Sequence, residues 1–226
     1  QHLSQTLDQR MLGMIQDMGL RERPPAISLN TNVTTLFTPA FKNFEQWLAD
    51  KDCGLIIELQ VVDIFADLGA YFFARDWLKE HGHSVLLDGL TPLVLGFMDV
   101  GQYGADLFKI NWSPELADGH QGGEIILALS PLGLDRAILG RCDSEAAIQW
   151  AMTHGITSFQ GRYVDAMLAA VTMAGCDKSK ACTFAQCIHR RSVIAGPPRG
   201  ECGNLDLLDA FPEVKAPRRR DTGGAA

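Results

Sequence analysis

Short apolar runs that close on polar residues recur along the chain and alternate with stretches of helical spacing. Ser84–Leu90 is such a run and contains one acid, Asp88, while the upstream run Leu55–Leu59 contains Glu58. Short apolar runs bounded by turn-forming residues are typical of buried strands in a parallel sheet. Ala105–Asn111 follows three glycines and is predicted as the next strand downstream.

Amphipathic segments separate the predicted strands. Apolar residues recur at spacings of three to four over Leu3–Leu20, Pro39–Asp50 and Asp63–His81, which predicts three helices. Strands that alternate with helices predict an α/β fold with a parallel sheet and right-handed crossovers. The other predicted elements are strands at Ala26–Val33 (ending near Asn30), Arg136–Arg141 and Ile156–Gly161, and helices at Ile125–Leu129 and Asp143–His154.

The predicted helix Asp63–His81 is rich in aromatic residues. Phe65, Leu68, Phe72 and Leu78 have the spacing that would place them against a sheet. We therefore expect its aromatic side chains in the core or at an interface.

The polar residues near the ends of the predicted strands are the candidates for chemistry. The carboxyl ends of consecutive parallel strands meet on one face, which is where the chemistry of a β/α barrel lies. Glu58, Asp88 and Lys109 should therefore share a cleft. A simpler interpretation stays open for each residue, because a strand-end Asp often caps the following loop, and Lys109 beside Glu58 or Asp88 would form a partly buried ion pair.

Length and composition are compatible with one α/β barrel domain. The chain has 226 residues, of which 46% are hydrophobic, enough to furnish a core. We assign residues 1–170 to a barrel and residues 171–226 to a Cys-containing C-terminal extension with a flexible tail. The net charge of −7 argues against a nucleic-acid-binding surface, since the single basic cluster, Arg218–Arg220, lies in a Pro/Gly-rich end.

The sequence contains no signal for a membrane. No apolar run reaches the roughly eighteen residues that a membrane span requires, and the N-terminus lacks a basic segment followed by an apolar one. Six cysteines without a signal peptide fit a reducing compartment, so a cytoplasmic location is expected. Gln1 is not an initiator Met, which suggests that the chain is part of a longer protein.

Polar residues in six segments of the chain follow one another in the order and spacing of a known family pattern. Glu58 and Asp88 are 30 residues apart, and Asp88 and Lys109 are 21 apart. This order and spacing resemble the EAL domain family, the phosphodiesterases of the bacterial messenger cyclic di-GMP, which are modified TIM barrels. The segments that carry the resemblance are Ile27–Asn30, Ile57–Leu59, His83–Asp88, Asp106–Asn111, Leu139–Glu145 and His154–Gly161.

The resemblance implies a modified TIM-type (β/α) barrel with a site at the strand ends. In active members an Asn, two Glu and two Asp hold two divalent metals, a Lys aids the hydrolytic water and a Gln closes the site. Two metals suit an in-line attack on a phosphodiester, and oxygen ligands suit Mg²⁺ or Mn²⁺. This chain retains Asn30, Glu58 and Asp88 as ancestral metal ligands, Lys109 as the ancestral catalytic residue, and Gln160.

Other family positions are changed here. The resemblance places Gly89 at the second aspartate, Gly140 at a glutamate, Asn111 at an aspartate and Asp143 at a second glutamate. The loop Leu90–Gly96 is apolar where the family has polar residues, and the signature Glu-Ala-Leu strand is either absent or lies before the first residue of this chain. Catalysis is therefore expected to be lost, with no cofactor bound and with Mg²⁺ or Mn²⁺ relevant only to residual activity.

The C-terminal segment has no counterpart in the family pattern. Cys176, Cys182, Cys187 and Cys202 stand close in sequence, with His189 among them. Four thiolates, or three with an imidazole, would make a structural zinc site. The spacing lacks paired Cys-x-x-Cys knuckles, so reduced and partly buried thiols are the favoured alternative.

Three hypotheses for function follow. The leading one is a catalytically inactive EAL-like regulatory domain that senses cyclic di-GMP or serves as a protein-interaction module. The second is a residual metal-dependent phosphodiesterase, and the third is a structural barrel that binds only protein partners. A protein partner or a homo-oligomer is expected, because the apolar loop Leu90–Phe97 must be covered.

Overall fold

A computed structural model of the chain describes residues 2–19, 26–51, 53–193 and 196–210. The chain divides into two compact units, Gln1–Val164 and Asp165–Ala226. This division and the boundary predicted at residue 170 both lie within one helix, Arg162–Gly175. The basic cluster Arg218–Arg220 lies outside the described residues.

The first unit is built on one parallel sheet whose spatial order equals the sequence order. Its six strands form a curved half-barrel, with β1 and β6 at the two edges. The central strands β2 and β3 are mostly apolar, and every one of their residues is buried or partly buried, as in strands covered on both faces. This confirms the α/β barrel-type fold class. The strands are β1 Ala26–Asn30, β2 Gly54–Gln60, β3 Ser84–Leu90, β4 Leu107–Asn111, β5 Ala137–Gly140 and β6 Ser158–Phe159.

Helices connect successive strands and cover the sheet. The helices predicted at the N-terminus and after the first, fourth and fifth strands are confirmed. Their ends lie within a few residues of the prediction, except that the helix after the fourth strand begins at His120 and not at Ile125. None of the helices in the described ranges combines the length and hydrophobicity that a membrane crossing requires. The helices of this unit are α1 His2–Met18, α2 Pro39–Ala49, α3 Val61–Ala66, α4 Leu68–Glu80, α5 Pro92–Leu95, α6 His120–Leu129 and α7 Glu145–Thr153, followed by α8 Arg162–Gly175, which enters the second unit.

The single helix predicted over Asp63–His81 is wrong, because two helices occupy that region. Asp67 lies between α3 and α4 with extended backbone angles, φ −154° and ψ 90°. Its carboxylate accepts a hydrogen bond from the Ala70 main-chain N–H at 2.9 Å, so it caps the start of α4. The helical spacing of apolar residues continues on both sides of Asp67, but this capping hydrogen bond starts a new helix there.

The break also changes which side chains face the sheet. Tyr71 and Leu78 are fully buried, and the Tyr71 hydroxyl donates to the Tyr103 carbonyl at 2.9 Å. Phe65 and Leu68, which were expected against the sheet, are 46% and 41% exposed. The prediction for those two residues is therefore wrong: Phe65 lies on α3 and Leu68 is the first residue of α4, on either side of the break at Asp67.

The Asp8 carboxylate attaches the N-terminal helix to the segment that follows β1. Asp8 accepts hydrogen bonds from the Asn32 main chain at 3.0 Å, from the Asn32 side chain at 2.8 Å and from the Thr35 hydroxyl at 2.6 Å. Leu12, one helical turn further, is buried at 1% exposure. A polar anchor and an apolar contact on one face position α1 next to the segment that follows β1.

The second unit is a small group of short helices. It contains the rest of α8, then α9 Phe184–Ser192, α10 Pro197–Gly200 and α11 Leu205–Asp209. Thr183 and Gln186 form a reciprocal capping box at the start of α9. Arg199 forms an ion pair with Asp209, which connects α10 to α11.

Adjacent glycines in α6 provide a test of the packing in the first unit. A Cβ at Gly122 would lie 2.1 Å from the Leu116 carbonyl oxygen, whereas a Cβ at Gly123 would meet nothing within 4 Å. We expect Gly122→Ala to lower the free energy of unfolding by about 1–3 kcal/mol through overpacking. The matched control Gly123→Ala should raise it by up to about 1 kcal/mol, because alanine favours helix. Urea unfolding of both variants measures the difference, and equal stabilities would contradict the packing described.

Candidate functional site

The predicted site residues lie at the carboxyl ends of neighbouring strands. Asn30 is the last residue of β1 and pairs in register with Glu58 of β2. Gln60 closes β2 and pairs with Asp88 of β3. Lys109 lies on β4. Because the strands are parallel, their order along the sheet brings these residues to one edge.

A buried ion pair occupies the centre of this edge. Lys109 donates a hydrogen bond to Glu58 Oε2, and the Ser28 hydroxyl donates to Glu58 Oε1 at 2.6 Å. Glu58 is 6% exposed and Lys109 5% exposed. Both oxygens of the Glu58 carboxylate are therefore engaged by neighbouring side chains. This arrangement is an ion pair, which was the simpler interpretation of Lys109 in the sequence analysis.

Asp88 has a different partner from the one expected. Its Oδ2 accepts a hydrogen bond from the Gln60 side-chain amide at 2.6 Å. Its Oδ1 is buried and has no hydrogen-bond partner within the described parts of the chain. Burying an unsatisfied carboxylate oxygen is costly, so this atom calls for a ligand. The Thr31 hydroxyl, directly after β1, is also buried without a hydrogen-bond partner in the described parts of the chain.

Asn30 and Gln160 are placed at the same end of the sheet but are exposed. Gln160 follows β6, where its main chain donates to Leu139 and accepts from Cys142. Within the described ranges, neither side chain is hydrogen-bonded to Glu58, Asp88 or Lys109. The structure thus pairs Glu58 with Lys109, whereas the side chains of Asn30 and Gln160 lie at the periphery of the site.

Two residues of the cluster were missed by the sequence analysis. Ser28 and Gln60 hold the Glu58 and Asp88 carboxylates, respectively. A signal for each exists in the alternation of strand side chains, because Ser28 is two residues before Asn30 and Gln60 is two residues after Glu58. Residues separated by two positions lie on the same face of a strand.

Gly89 and Gly140 occupy tight backbone positions. Gly89 has φ +88° at a register shift between β3 and β4, and a Cβ there would lie 3.2 Å from the Gln60 side-chain oxygen. A Cβ at Gly140 would lie 3.0 Å from the Asn111 side-chain oxygen. Any side chain at position 89 would adopt a backbone conformation that non-glycine residues avoid.

Asp143 is engaged by the helix that follows β6. It accepts from the Arg162 main-chain N–H at 3.1 Å and from the Arg162 guanidinium at 2.5 Å. The guanidinium hydrogen bond and the main-chain bond hold the pKa of Asp143 below its usual range. Both side chains are substantially exposed, so this ion pair connects Asp143 to the start of α8 but contributes little to stability.

The apolar loop after β3 is divided between core and surface. Leu90 is buried, and Val94 and Leu95 pack against the core. Leu93 and Phe97 are 72% and 83% exposed. The loop contains the short helix α5, which packs against α6. Only part of the segment predicted to need covering is therefore presented to solvent.

The six cysteines are all reduced. Cys53 and Cys142 are buried in the first unit, and Cys187 is buried in the second. Burial raises the pKa of the Cys187 thiol, and the neighbouring Cys182, Cys202 and Cys176 thiols raise it further, against a lowering by Arg191. Among the described residues, no three or more His, Cys, Asp or Glu side chains are arranged to hold a metal ion.

Comparison with solved structures identifies the fold. The Bacillus subtilis YkuI protein, with an EAL domain, in complex with substrate c-di-GMP and calcium, matches with a TM-score of 0.56 and 15% identity, over 70% of this chain and 41% of that one. Vibrio cholerae LapD, an S helix-GGDEF-EAL protein bound to c-di-GMP, matches with a TM-score of 0.53 and 15% identity, over 71% of this chain and 42% of that one. This chain has an EAL-like fold.

The matches cover only part of the solved structures. The chain spans about two-fifths of the length of each of these proteins. No protein-family model matches the sequence, and no curated protein matches it. At this level of sequence identity, the similarity shows a shared backbone fold only. The roles of the site residues have to be inferred from their geometry in this chain.

Removing one member of the buried ion pair tests its place in the fold. We expect Lys109→Met to lower the free energy of unfolding by about 3–5 kcal/mol, because it leaves the Glu58 carboxylate buried without a counter-ion. The double variant Glu58→Gln with Lys109→Met should recover most of that loss, since no charge then remains buried. Urea unfolding at neutral pH measures both.

An exposed pair is the control for this measurement. Arg162→Met removes an ion pair with Asp143 whose side chains are 85% and 40% exposed. Its cost should be much smaller than that of Lys109→Met, because solvent screens an exposed ion pair. A Lys109→Met variant as stable as Arg162→Met would show that Glu58 is not held in a buried pair.

Proposed function

We propose that this chain is a catalytically inactive EAL-like regulatory domain in cyclic di-GMP signalling, which binds the messenger without hydrolysing it. The observation that carries the proposal is the engagement of Glu58 by Lys109 and Ser28. In this arrangement the ancestral catalytic lysine and an ancestral metal ligand satisfy each other. The two residues are in place at the strand ends and are bonded to each other.

The chemistry of phosphodiester hydrolysis supports the loss of activity. Two metals stabilise both the attacking and the leaving oxygen of an in-line displacement, and hard cations require several oxygen ligands each. Gly89 and Gly140 supply no oxygen from a side chain, and both carboxylate oxygens of Glu58 already accept hydrogen bonds from Ser28 and Lys109. The residues present therefore do not fit a two-metal centre.

Binding of the messenger is supported by two observations of different kinds. The YkuI structure is a complex with c-di-GMP and calcium, and one LapD structure is bound to c-di-GMP. In this chain Asp88 Oδ1 is buried and unpaired among the described residues. An N–H donor of a ligand, or a single divalent cation, would satisfy that oxygen.

Restoring the family residues would not restore the site. An aspartate at position 89 would have to adopt φ +88°, a conformation that costs of the order of 1–2 kcal/mol for a residue with a side chain. A glutamate at position 140 would crowd Asn111 and Lys109. The apolar loop after β3 also supplies no polar contacts, so several changes beyond these two positions separate this chain from an active site.

Calorimetry with cyclic di-GMP tests the proposal. Titration with and without Mg²⁺ should give heat of binding, and no linear dinucleotide should form above a metal-free blank. Asp88→Ala should weaken binding by at least tenfold, because it removes the buried acceptor, whereas Glu124→Gln on the exposed side of α6 should not. Product formation would support a residual phosphodiesterase instead. The absence of any heat with folded protein would leave the structural barrel as the remaining interpretation.

A surface observation supports a second role in protein interaction. Leu93 and Phe97 project from the loop after β3 with most of their side-chain surface exposed. Large apolar side chains that cluster on a surface often mark an interface. We propose that this loop contacts a second copy of the chain, and that the regulatory output uses this contact.

Light scattering tests the interface. The wild-type chain should have a molar mass above that of the 24.7 kDa monomer, and the double variant Leu93→Asp with Phe97→Asp should shift it to the monomer. Met152→Asp is the matched control, because Met152 is also exposed, at 51%, but lies on α7. A wild-type monomer that behaves identically to the double variant would exclude this interface.

A further inference from the structure

Arg141 has a backbone conformation that residues with side chains disfavour. Among the residues that the structure describes, it alone combines a side chain with a positive φ, which is 56°. In this left-handed region a Cβ atom lies too close to the following carbonyl oxygen, so glycine is favoured there. The chain therefore has an arginine at a position where glycine would be more stable.

The segments on both sides of Arg141 impose this conformation. The Gly140 carbonyl, at the end of β5, accepts a hydrogen bond from the Trp112 main-chain N–H at 2.8 Å. On the other side, the Cys142 main-chain N–H donates to the Gln160 carbonyl at 3.0 Å. A residue stays in a rare conformation only where its surroundings fix it in this way, and such residues cluster at functional sites.

The Arg141 side chain is exposed and has no carboxylate bound to it. It lies close enough to Asp143 for the two charges to interact. Both Asp143 oxygens, however, accept hydrogen bonds from Arg162, one from its main-chain N–H and one from its guanidinium. Within the described ranges, no hydrogen bond or ion pair engages the Arg141 guanidinium, so it is free to contact an anionic ligand.

Arg141 lies at the same edge of the sheet as the Asp88 oxygen that lacks a partner. It directly follows Gly140, where a Cβ would lie 3.5 Å from the Lys109 side chain. Asp88 is on β3, two strands from β5, which corresponds to about 10 Å across the sheet. A ligand that meets both groups therefore needs a hydrogen-bond donor and an anionic group that are well separated. Nucleotides have this combination, whereas a simple anion does not.

We propose that the Arg141 guanidinium binds a phosphodiester group of the cyclic dinucleotide, while Asp88 Oδ1 accepts a hydrogen bond from a donor on the same ligand. This inference rests on the proposed function and specifies the residue that supplies positive charge in its site. A guanidinium presents parallel N–H donors that match two phosphate oxygens, and such charge-assisted hydrogen bonds are stronger than neutral ones. Lys109, at the same edge, is already occupied by Glu58.

Two variants separate the charge of Arg141 from its backbone conformation. Arg141→Gln keeps a side chain at the positive φ but removes the charge, so it should weaken cyclic di-GMP binding by about tenfold or more and leave the urea midpoint unchanged. Arg141→Gly should weaken binding similarly but raise the urea midpoint, because relief of the left-handed conformation exceeds the effect of added glycine flexibility. Calorimetry, with and without Mg²⁺, and urea unfolding measure the two effects.

The control for a general loss of positive charge is Lys79→Gln. Lys79 pairs with Asp106 at 3.0 Å, directly before β4, and so lies at the amino ends of the strands. This variant should bind cyclic di-GMP as tightly as the wild type. Inorganic phosphate at equal ionic strength is the control ligand and should give no heat, because it cannot reach both Arg141 and Asp88.

The outcomes distinguish this inference from the proposed function. If the wild type and Arg141→Gln bind the messenger equally well, the proposed function stands and the role of Arg141 is wrong. An Arg141→Gly variant less stable than the wild type would also contradict the inference, since the arginine would then serve the fold. Binding of inorganic phosphate that depends on Arg141 would replace the dinucleotide with a simple anion. A folded wild type that gives no heat with the messenger contradicts both proposals.

Discussion

The buried ion pair between Lys109 and Glu58 is the constraint around which the first unit is arranged. Two charges at the end of a sheet that is otherwise apolar carry a large desolvation cost, and each needs the other within hydrogen-bond distance. Lys109 and Glu58 are on β4 and β2, so β3 must lie between them. Ser28 on β1 also donates to the carboxylate, so these three side chains join β1, β2 and β4 across β3.

The strand between the two charges is where the backbone is irregular. The register of β3 against β4 shifts between Leu87 and Leu90, and Gly89 at this point has a positive φ. Asp88, directly before this glycine, pairs in register with Gln60 of β2, and its carboxylate meets the Gln60 side chain and not Lys109. The glycine has a structural reason to be present, because its backbone has a positive φ. One Asp88 oxygen is buried without a partner among the described residues.

Apolar patterning predicted the sheet better than it predicted the helices or the contacts of the site. β3 occupies the predicted range Ser84–Leu90, because a strand buried on both faces leaves a continuous apolar run. The helix expected over Asp63–His81 was divided at Asp67 by a capping hydrogen bond that apolar spacing does not reveal. Which residues gather at the strand ends followed from their order in the chain. Which of them pair depended on strand register and side-chain geometry, so the roles of Gln60 and Ser28 were not anticipated.

A site can keep its charged residues and lose its chemistry when these residues satisfy one another. In a hydrolytic centre, carboxylates remain in place at a cost that bound metal ions offset. Where ligand positions become glycine, that compensation is lost, and the remaining carboxylates need another source of positive charge or must be removed. Lys109 is already within reach of Glu58, so one lysine stabilises the carboxylate without further substitution. The presence of Lys109 and Glu58 is therefore explained by the fold itself, whereas the unpaired oxygen of Asp88 is not explained in this way. That oxygen is the more informative feature of the site, because it has no partner among the described residues and a ligand would supply one.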